Sequence, residues 1–247
     1  MIKELGPGLR LTLVFTILTG LLYPAAMTGL SEWIFPKQAK GSLVTVNGTV
    51  VGSSLIGQSF TRPEYFHPRP SAAGNGYDAT ASSGTNLGPT SAKLLRGVTT
   101  TDDKGKETVA FDGIEDRIVH YCLDNNIPYQ SSTPLDKFKD SQGNLDDTKL
   151  IDAFNDAKGP LVFTAKQPIP QDAVTASSSG LDPHISPRNA EIQAARVAEA
   201  RGVSPDQVKA LIPQFTERAD LGFLGEPRVN VLLLNVELDR KFPRAKR

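Results

Sequence analysis

The chain has 247 residues, and its 27 basic and 27 acidic side chains give a formal net charge of zero. This balance argues against a nucleic-acid-binding protein, which would present a basic face. The single cysteine, Cys122, excludes an intrachain disulfide, so we expect a fold stabilised by packing and a buried, inert thiol. The 21 glycines and 18 prolines predict many turns and irregular segments.

Near the start of the chain, Leu11–Leu30 is an uncharged and mostly apolar run. At about 1.5 Å per helical residue, such a run covers roughly the 30 Å hydrocarbon core of a bilayer. Lys3 and Arg10 precede the run and Glu32 follows it, and basic residues tend to remain cytoplasmic. We therefore predict a cytoplasmic N-terminus and a transmembrane anchor over residues 1–36, with the bulk of the chain outside.

A cleaved signal peptide is the alternative interpretation of the same run. Ala25 and Ala26 are small enough for a cleavage site. The run is longer than the usual signal-peptide core of about 7 to 15 residues, however, and Tyr23 and Pro24 lie in its middle. We favour a retained helix that is kinked or closely packed, with Tyr23 and Pro24 as candidate contacts for a membrane partner.

Residues 37–247 are predicted to form one extracytoplasmic domain. It begins with a β-hairpin over residues 43–53, because two β-prone runs flank Asn47-Gly48, the pair best suited to a type I′ turn. From residue 52 to residue 89, prolines and glycines interrupt every periodicity. We expect ordered loops there, packed by aromatic anchors.

Residues 97–166 differ from their surroundings, since this stretch is rich in acidic side chains and contains the cysteine. The spacing of apolar side chains predicts a helix over residues 114–123 and a second, short helix over residues 146–157. A strand is expected over residues 161–165. We interpret residues 97–166 as a probable insertion on a smaller core.

Two capped helices are predicted after this segment. Ser186 and Pro187 form an N-cap and first-turn pair, and Gly202 stands where the C′ residue of that helix belongs. Ser204–Gln207 is a capping-box sequence that begins the second helix, which should reach about residue 211 or 212. The apolar run 229–238 is typical of a strand, with a helix as the alternative. The predicted fold class is α+β, with one N-terminal transmembrane helix before a mixed α/β domain.

Several catalytic and binding signatures are absent from the sequence. No lysine is followed by serine or threonine, which excludes a P-loop and the phosphorylated Asp-Lys-Thr-Gly motif of P-type pumps. The signatures of serine hydrolases and β-lactamases are also missing. His67, His120 and His184 are scattered without metal-site spacing. We therefore predict no catalytic residue and no metal site.

Several sequence blocks along the chain match one family in order. They are the anchor with Tyr23-Pro24, then Gly52–Phe60, Tyr65–Ala72, Ser83–Gly88, Val174–Pro187, Arg196–Arg201 and Val229–Leu238. With these blocks, the chain resembles the C subunit of the Kdp-type potassium-transporting ATPase, the KdpC family, along nearly its whole length. The chain departs from the family pattern at residues 97–166, because this segment is longer than the spacer usual in the family. We therefore assign no family role to it.

The resemblance implies an accessory, non-catalytic subunit of an ATP-driven, high-affinity potassium uptake complex in the bacterial inner membrane. The implied partners are a channel-like potassium-translocating subunit, a P-type ATPase subunit, a very small accessory subunit and membrane lipid. The family is described as a catalytic chaperone that raises the ATP affinity of the pump subunit. No directly bound cofactor is expected, and any involvement of ATP is expected through the pump subunit.

The polar residues Arg69, Asn86, Asp182 and His184 lie within the matching blocks and are candidates for partner contact or for pinning loops. No catalytic residue is carried over from the family. Two other classes of function remain open, a membrane-tethered extracytoplasmic enzyme or binding protein and a nucleotide-binding regulator. The first of these would need a nucleophile or paired carboxylates in a cleft near residues 177–184.

Overall fold

The computed structural model describes residues 2–243 and divides them into two compact units, the first ending at residue 55 and the second beginning at residue 56. Helices and short antiparallel strands occur together, and one long apolar helix stands at the N-terminus. These observations confirm the predicted mixed α/β class. The hairpin that we expected to open the second domain belongs to the first unit.

The first unit is dominated by the N-terminal helix. Its parts are α1 (Ile2–Ile17), a π-helical turn (Leu18–Leu22) and α2 (Tyr23–Ile34). The helix Lys3–Ile34 is long and apolar enough to cross a membrane, because its most apolar 18-residue stretch has a mean hydropathy of 1.7. A signal sequence passes the same test. The π turn ends two residues before Pro24, whose ring crowds the preceding turn and which has no N–H to donate. The N–H of Tyr23 donates instead five residues back, to the carbonyl of Leu18.

A short helix, α3 (Pro36–Ala39), leads into the predicted hairpin, which the structure confirms. Strand β1 (Leu43–Val46) pairs antiparallel with β2 (Thr49–Ser53). Asn47 and Gly48 both have positive φ, at 49° and 80°, as a type I′ turn requires.

The second unit begins with a long stretch of ordered loop. Between residues 54 and 91 of the described chain there is no helix or strand, as the sequence predicted. Tyr65 and Phe66 are buried there, and the ring of Tyr65 lies 5.5 Å from that of Phe60. These side chains are the aromatic anchors that the sequence led us to expect.

The regular elements of the second unit are small antiparallel sheets and short to medium-length helices. The sheets are β3–β4, β5–β6 and the three-stranded β7-β9-β8. The helices are α4 (Ala92–Arg96), α5 (Ile114–Asp124), α6 (Asp147–Asn155), α7 (Gln171–Val174), α8 (Pro187–Arg201), α9 (Pro205–Lys209) and α10 (Val231–Lys241). The strands are β3 (Val98–Thr101), β4 (Glu107–Phe111), β5 (Tyr129–Ser131), β6 (Phe163–Ala165), β7 (His184–Ile185), β8 (Thr216–Glu217) and β9 (Arg228–Asn230).

The main hydrophobic core lies among α8, α9, α10 and the three-stranded sheet. Its buried members outside that sheet include Phe66, Ala190, Ala194, Val197, Val208, Leu234 and Leu238. The apolar run 229–238 is a strand only as far as Asn230, whose side chain then caps α10 by accepting the N–H of Leu233 at 3.1 Å. From Val231 onward the run is helical, as the alternative prediction had it.

Residues 97–166 have a hydrophobic cluster of their own. Its buried members are Val119, Leu135, Leu150, Phe154 and Leu161. The predicted helices and strand of this segment are present, with slightly different ends, while the hairpin β3–β4 was not predicted. The cluster agrees with our interpretation of the segment as an insertion, which stays a prediction.

The helix caps agree with the sequence in detail. Ser186 Oγ accepts the N–H of Asn189 at 3.1 Å, and Gly202 ends α8 in the left-handed conformation with φ 66°. Ser204 and Gln207 form both bonds of the capping box. Helix α9 is shorter than predicted, because it ends at Lys209. A turn at Ala210 and Leu211 follows, and then a 3-10 helix over Ile212–Phe215.

Candidate functional site

Three of the predicted site residues form one polar cluster at the start of β7. Arg69 Nη1 donates to Asp182 Oδ2 at 3.0 Å, and the same guanidinium donates to the carbonyls of Thr175 and Ala176 at 3.4 Å. Asp182 Oδ1 accepts the backbone N–H of His184 at 3.0 Å and lies 3.3 Å from His184 Nδ1. Arg69 therefore ties the loop that contains the Ser-Ser-Ser-Gly run to the Tyr65–Ala72 block.

The pKa shifts in this cluster favour the protonation states that hold the loop in place. Burial raises the pKa of Asp182, but hydrogen bonds from His184 and the charge of Arg69 outweigh burial and hold that pKa below its usual value. Tyr77 donates its hydroxyl to the carbonyl of Arg69 at 2.9 Å. Burial and the charge of Asp182 raise the pKa of Tyr77, so its hydroxyl remains a neutral donor.

The other predicted site residues lie apart from this cluster. Asn86 is exposed and has φ 53°, a left-handed conformation that asparagine tolerates well. Across the described residues, no hydrogen bond or ion pair joins Asn86 to Arg69, Asp182 or His184. Tyr23 and Pro24 lie in the N-terminal helix of the first unit, with exposed side chains. Their contacts with a partner stay a prediction.

A cleft of about 350 Å³ does open beside His184, as an extracytoplasmic enzyme would require. Its serine, Ser186, donates its hydroxyl to Asp172 Oδ1 at 2.8 Å and caps α8. Ser177 Oγ accepts the N–H of Gly180 at 2.9 Å and so shapes its own turn. In residues 2–243, no serine hydroxyl contacts His184, so the cleft lacks the nucleophile–base pair of covalent catalysis.

Two buried amide side chains, which were not predicted from the sequence, hold the Tyr65–Ala72 block. Gln193 on α8 accepts the N–H of His67 at 2.7 Å and donates to its carbonyl at 3.1 Å. Asn235 on α10 does the same for Phe66, at 2.9 and 3.0 Å. We call Gln193 and Asn235 the amide clamp, because they give two successive loop residues the backbone partners that a neighbouring strand would supply.

Two arginines on α8 extend the amide clamp toward the start of the block. Arg196 Nη1 donates to the carbonyls of Pro63 and Tyr65 at 2.7 and 3.0 Å. Arg201 Nε donates to the carbonyl of Glu64 at 2.7 Å. These charge-assisted bonds fix an irregular segment in the core, where unpaired carbonyls would be costly.

A second and larger cleft, of about 600 Å³, brings the Tyr65–Ala72 block together with the 97–166 segment. His120 Nε2 lies there 2.8 Å from Asp147 Oδ1 and 3.9 Å from Asp116 Oδ1. Burial raises the pKa of Asp116 to about 6, while the hydrogen bond with Asp147 raises the pKa of His120. Neighbouring Arg117 is engaged by Asp112 through two bonds, at 2.7 and 2.9 Å.

The comparisons with known proteins bear directly on the identity of the chain. The family model described as "KdpC: K+-transporting ATPase, c chain" matches residues 5–146 and 139–240. A protein of Mycobacterium tuberculosis (strain H37Rv) named "Potassium-transporting ATPase KdpC subunit" is 43% identical over 240 residues, covering 97% of this chain and all of the relative. The chain belongs to the KdpC family.

Two other KdpC relatives support this assignment from different organisms. The protein of Koribacter versatilis is 42% identical over 243 residues, which are 98% of this chain and 97% of the relative. The protein of Myxococcus xanthus is 46% identical over 236 residues, which are 95% of this chain and 87% of the relative. The chain is thus a KdpC-type component of a potassium-transporting ATPase, and its apolar helix fits a single-pass membrane protein.

For a KdpC subunit, exposed apolar surface is as informative as the clefts. None of the most apolar part of Lys3–Ile34 is buried within the chain, and Trp33 near its end is 81% exposed. The hairpin also exposes Leu43 and Val50. The apolar side chains of such a helix can be removed from water only in lipid or against another protein.

Proposed function

We propose that this KdpC-type chain is a non-catalytic subunit that assembles and stabilises a potassium-transporting ATPase complex through its N-terminal helix. The single observation that carries the proposal is the helix Lys3–Ile34, which is apolar throughout its central part and unburied within the chain. Helices in a membrane associate by close packing, for which Gly20, Gly29 and the π turn before Pro24 provide an irregular, small-residue surface.

The proposed partners are the channel-like potassium-translocating subunit, the P-type ATPase subunit and the very small subunit of such a complex. We place the N-terminus in the cytoplasm and residues 37–247 outside, because Lys3 and Arg10 precede the helix core and Glu32 follows it. In this arrangement the domain covers the outer face of the channel-like subunit. The polar residues Arg69, Asp182 and His184 then act mainly by holding the loops of that domain.

In this topology, the chain can affect the ATP affinity of the pump subunit only indirectly. ATP is cytoplasmic, whereas the domain is proposed to lie outside, so the chain would raise the ATP affinity of the pump subunit by stabilising one conformation of it. Titration of the purified chain in detergent with labelled ATP should show no binding. Saturable ATP binding would instead favour a nucleotide-binding regulator.

The assembly role is tested by replacing residues 1–36 with an unrelated transmembrane helix of the same length and orientation. The variant is expressed together with the other subunits, and the amount that co-purifies with a tagged pump subunit is measured. We expect at least a tenfold loss, while membrane fractionation verifies that the variant is still inserted. Full co-purification of the replaced chain would contradict a packing role for the native helix.

Topology is tested separately with a protease-cleavable tag placed after Arg247. In sealed right-side-out vesicles, we expect the tag to be cleaved by protease added outside. Cleavage only after the vesicles are opened would place the domain with ATP and would contradict the proposed arrangement.

A further inference from the structure

The larger cleft contains a group of three side chains that the assembly role does not use. Asp116 and His120 stand four residues apart on α5 and so share one face of that helix, and Asp147 comes from the first turn of α6. One potential ligand atom from each lies within 4.8 Å of the others. We propose that Asp116, His120 and Asp147 bind a divalent transition-metal ion of the Zn²⁺ type.

The second observation that points to a cation is an orphaned oxygen. Asp116 is 3% exposed, and its Oδ1 atom is buried without a hydrogen-bond partner. It is the one buried side-chain polar atom in this condition among the described residues. The same atom faces His120 Nε2 at 3.9 Å, so it is directed into the group. A buried carboxylate oxygen without a partner is costly, and a cation between these atoms would satisfy it.

The distances are close to those of a real coordination sphere. Zn²⁺ binds imidazole nitrogen and carboxylate oxygen at about 2.0–2.2 Å, so ligand atoms around a tetrahedral ion lie about 3.4 Å apart. The pair His120–Asp147 is at 2.8 Å and the pair His120–Asp116 is at 3.9 Å, on either side of that value. All three atoms lie within 4.8 Å of one another, so an ion among them would draw the three side chains closer together. The three residues line the larger cleft.

The chemistry of the ligands selects the class of ion. An imidazole with two carboxylates suits Zn²⁺ and its first-row neighbours, whereas Ca²⁺ and Mg²⁺ prefer all-oxygen sites. Asp124 adds further negative charge around His120. K⁺, the transported ion, is not expected to compete, because it too is a hard cation that prefers oxygen ligands.

The three histidines lack metal-site spacing in the sequence, which is why no metal site was predicted. The informative spacing is Asp116 to His120 on one helix, and Asp147 joins them only through the packing of α5 against α6. A bound ion would link these two helices across the cluster formed by Val119, Leu150 and Phe154. It would therefore stabilise the 97–166 segment specifically.

The test uses the full chain in detergent, without a histidine tag, after removal of metals with a chelator and dialysis. Titration with ZnCl₂ by calorimetry should give one equivalent of tight binding. His120→Gln and Asp147→Asn should each weaken it at least tenfold, and excess KCl should not displace the ion. Asp147 is partly exposed, so its variant should fold even where a change at Asp116 does not.

The matched control is His184→Gln, which removes a histidine that is likewise flanked by two acidic residues. It should bind Zn²⁺ like the native chain. Saturating ZnCl₂ should raise the melting temperature of the native chain by about 5 °C and leave that of His120→Gln unchanged. Absence of Zn²⁺ binding to the native chain, retention of one equivalent in His120→Gln, or displacement by KCl would each overturn the proposal.

Discussion

Replacing Asn235 by leucine tests whether the amide clamp holds the loop block in the core. Leucine has nearly the same size and shape, but it leaves the N–H and the carbonyl of Phe66 without partners in a fully buried position. Each orphaned buried group costs about 1–3 kcal/mol, and the added apolar surface of leucine offsets part of the total. We expect Asn235→Leu to lower the free energy of unfolding by about 3 kcal/mol.

The assay is thermal unfolding of the full chain in detergent, followed by circular dichroism. For a domain of this size, about 3 kcal/mol corresponds to a melting temperature lower by about 6–12 °C. Asn75→Leu is the matched control, because it makes the same substitution at an exposed loop position and should shift the melting temperature by about 1 °C at most. Equal melting temperatures for the two variants would refute the claim that the amide clamp stabilises the chain.

Three further predictions concern single residues. Asp182→Asn should lower the free energy of unfolding at neutral pH, as measured by urea unfolding at several pH values. The difference from the native chain should narrow below about pH 4, because His184 and Arg69 lower the folded-state pKa of Asp182 and this stabilisation is lost as the carboxylate is protonated. Gly202→Ala should cost about 1 kcal/mol in the same assay, because alanine is strained at φ 66°. Cys122 is buried with its pKa raised to about 11, so iodoacetamide should alkylate it about a hundredfold more slowly in the native chain than in urea.

The features predicted well from sequence are those that local backbone chemistry decides. Asn47-Gly48 specifies its turn through two positive φ angles, and Ser186 and Gly202 mark the two ends of α8 through capping and a left-handed residue. None of these features depends on distant parts of the chain. The apolar run of the N-terminal helix is equally local, since its length and composition alone are enough to predict it.

The clamp and the three-residue group in the larger cleft could not be predicted because they depend on long-range packing. Gln193 is 126 residues from His67, and Asn235 is 169 residues from Phe66. The available signal on α8 was a set of polar residues, Asn189, Gln193 and Arg196, among small apolar ones. This pattern does not identify the loop residues that they bind. Asp147 likewise joins α5 only after both helices have packed.

The β3–β4 hairpin was missed for a different reason. Val98–Thr101 and Glu107–Phe111 lack an alternation of buried and exposed residues, because the hairpin buries little of either face. Its turn is organised by Asp102, whose carboxylate accepts the N–H groups of Lys104 and Lys106 at 2.9 Å. Because a side chain directs this turn and the flanking strands lack a periodic apolar pattern, periodicity does not predict the hairpin.

The most direct test of the assembly account is site-specific photo-cross-linking from the N-terminal helix in the intact complex. A photoreactive amino acid is placed in turn at each position from 18 to 29, and the cross-linked products are identified by mass spectrometry. We predict cross-links to another subunit of the pump that recur with the helical period and include Tyr23. Cross-links to lipid alone, or a mature chain from which these residues have been removed, would contradict the account.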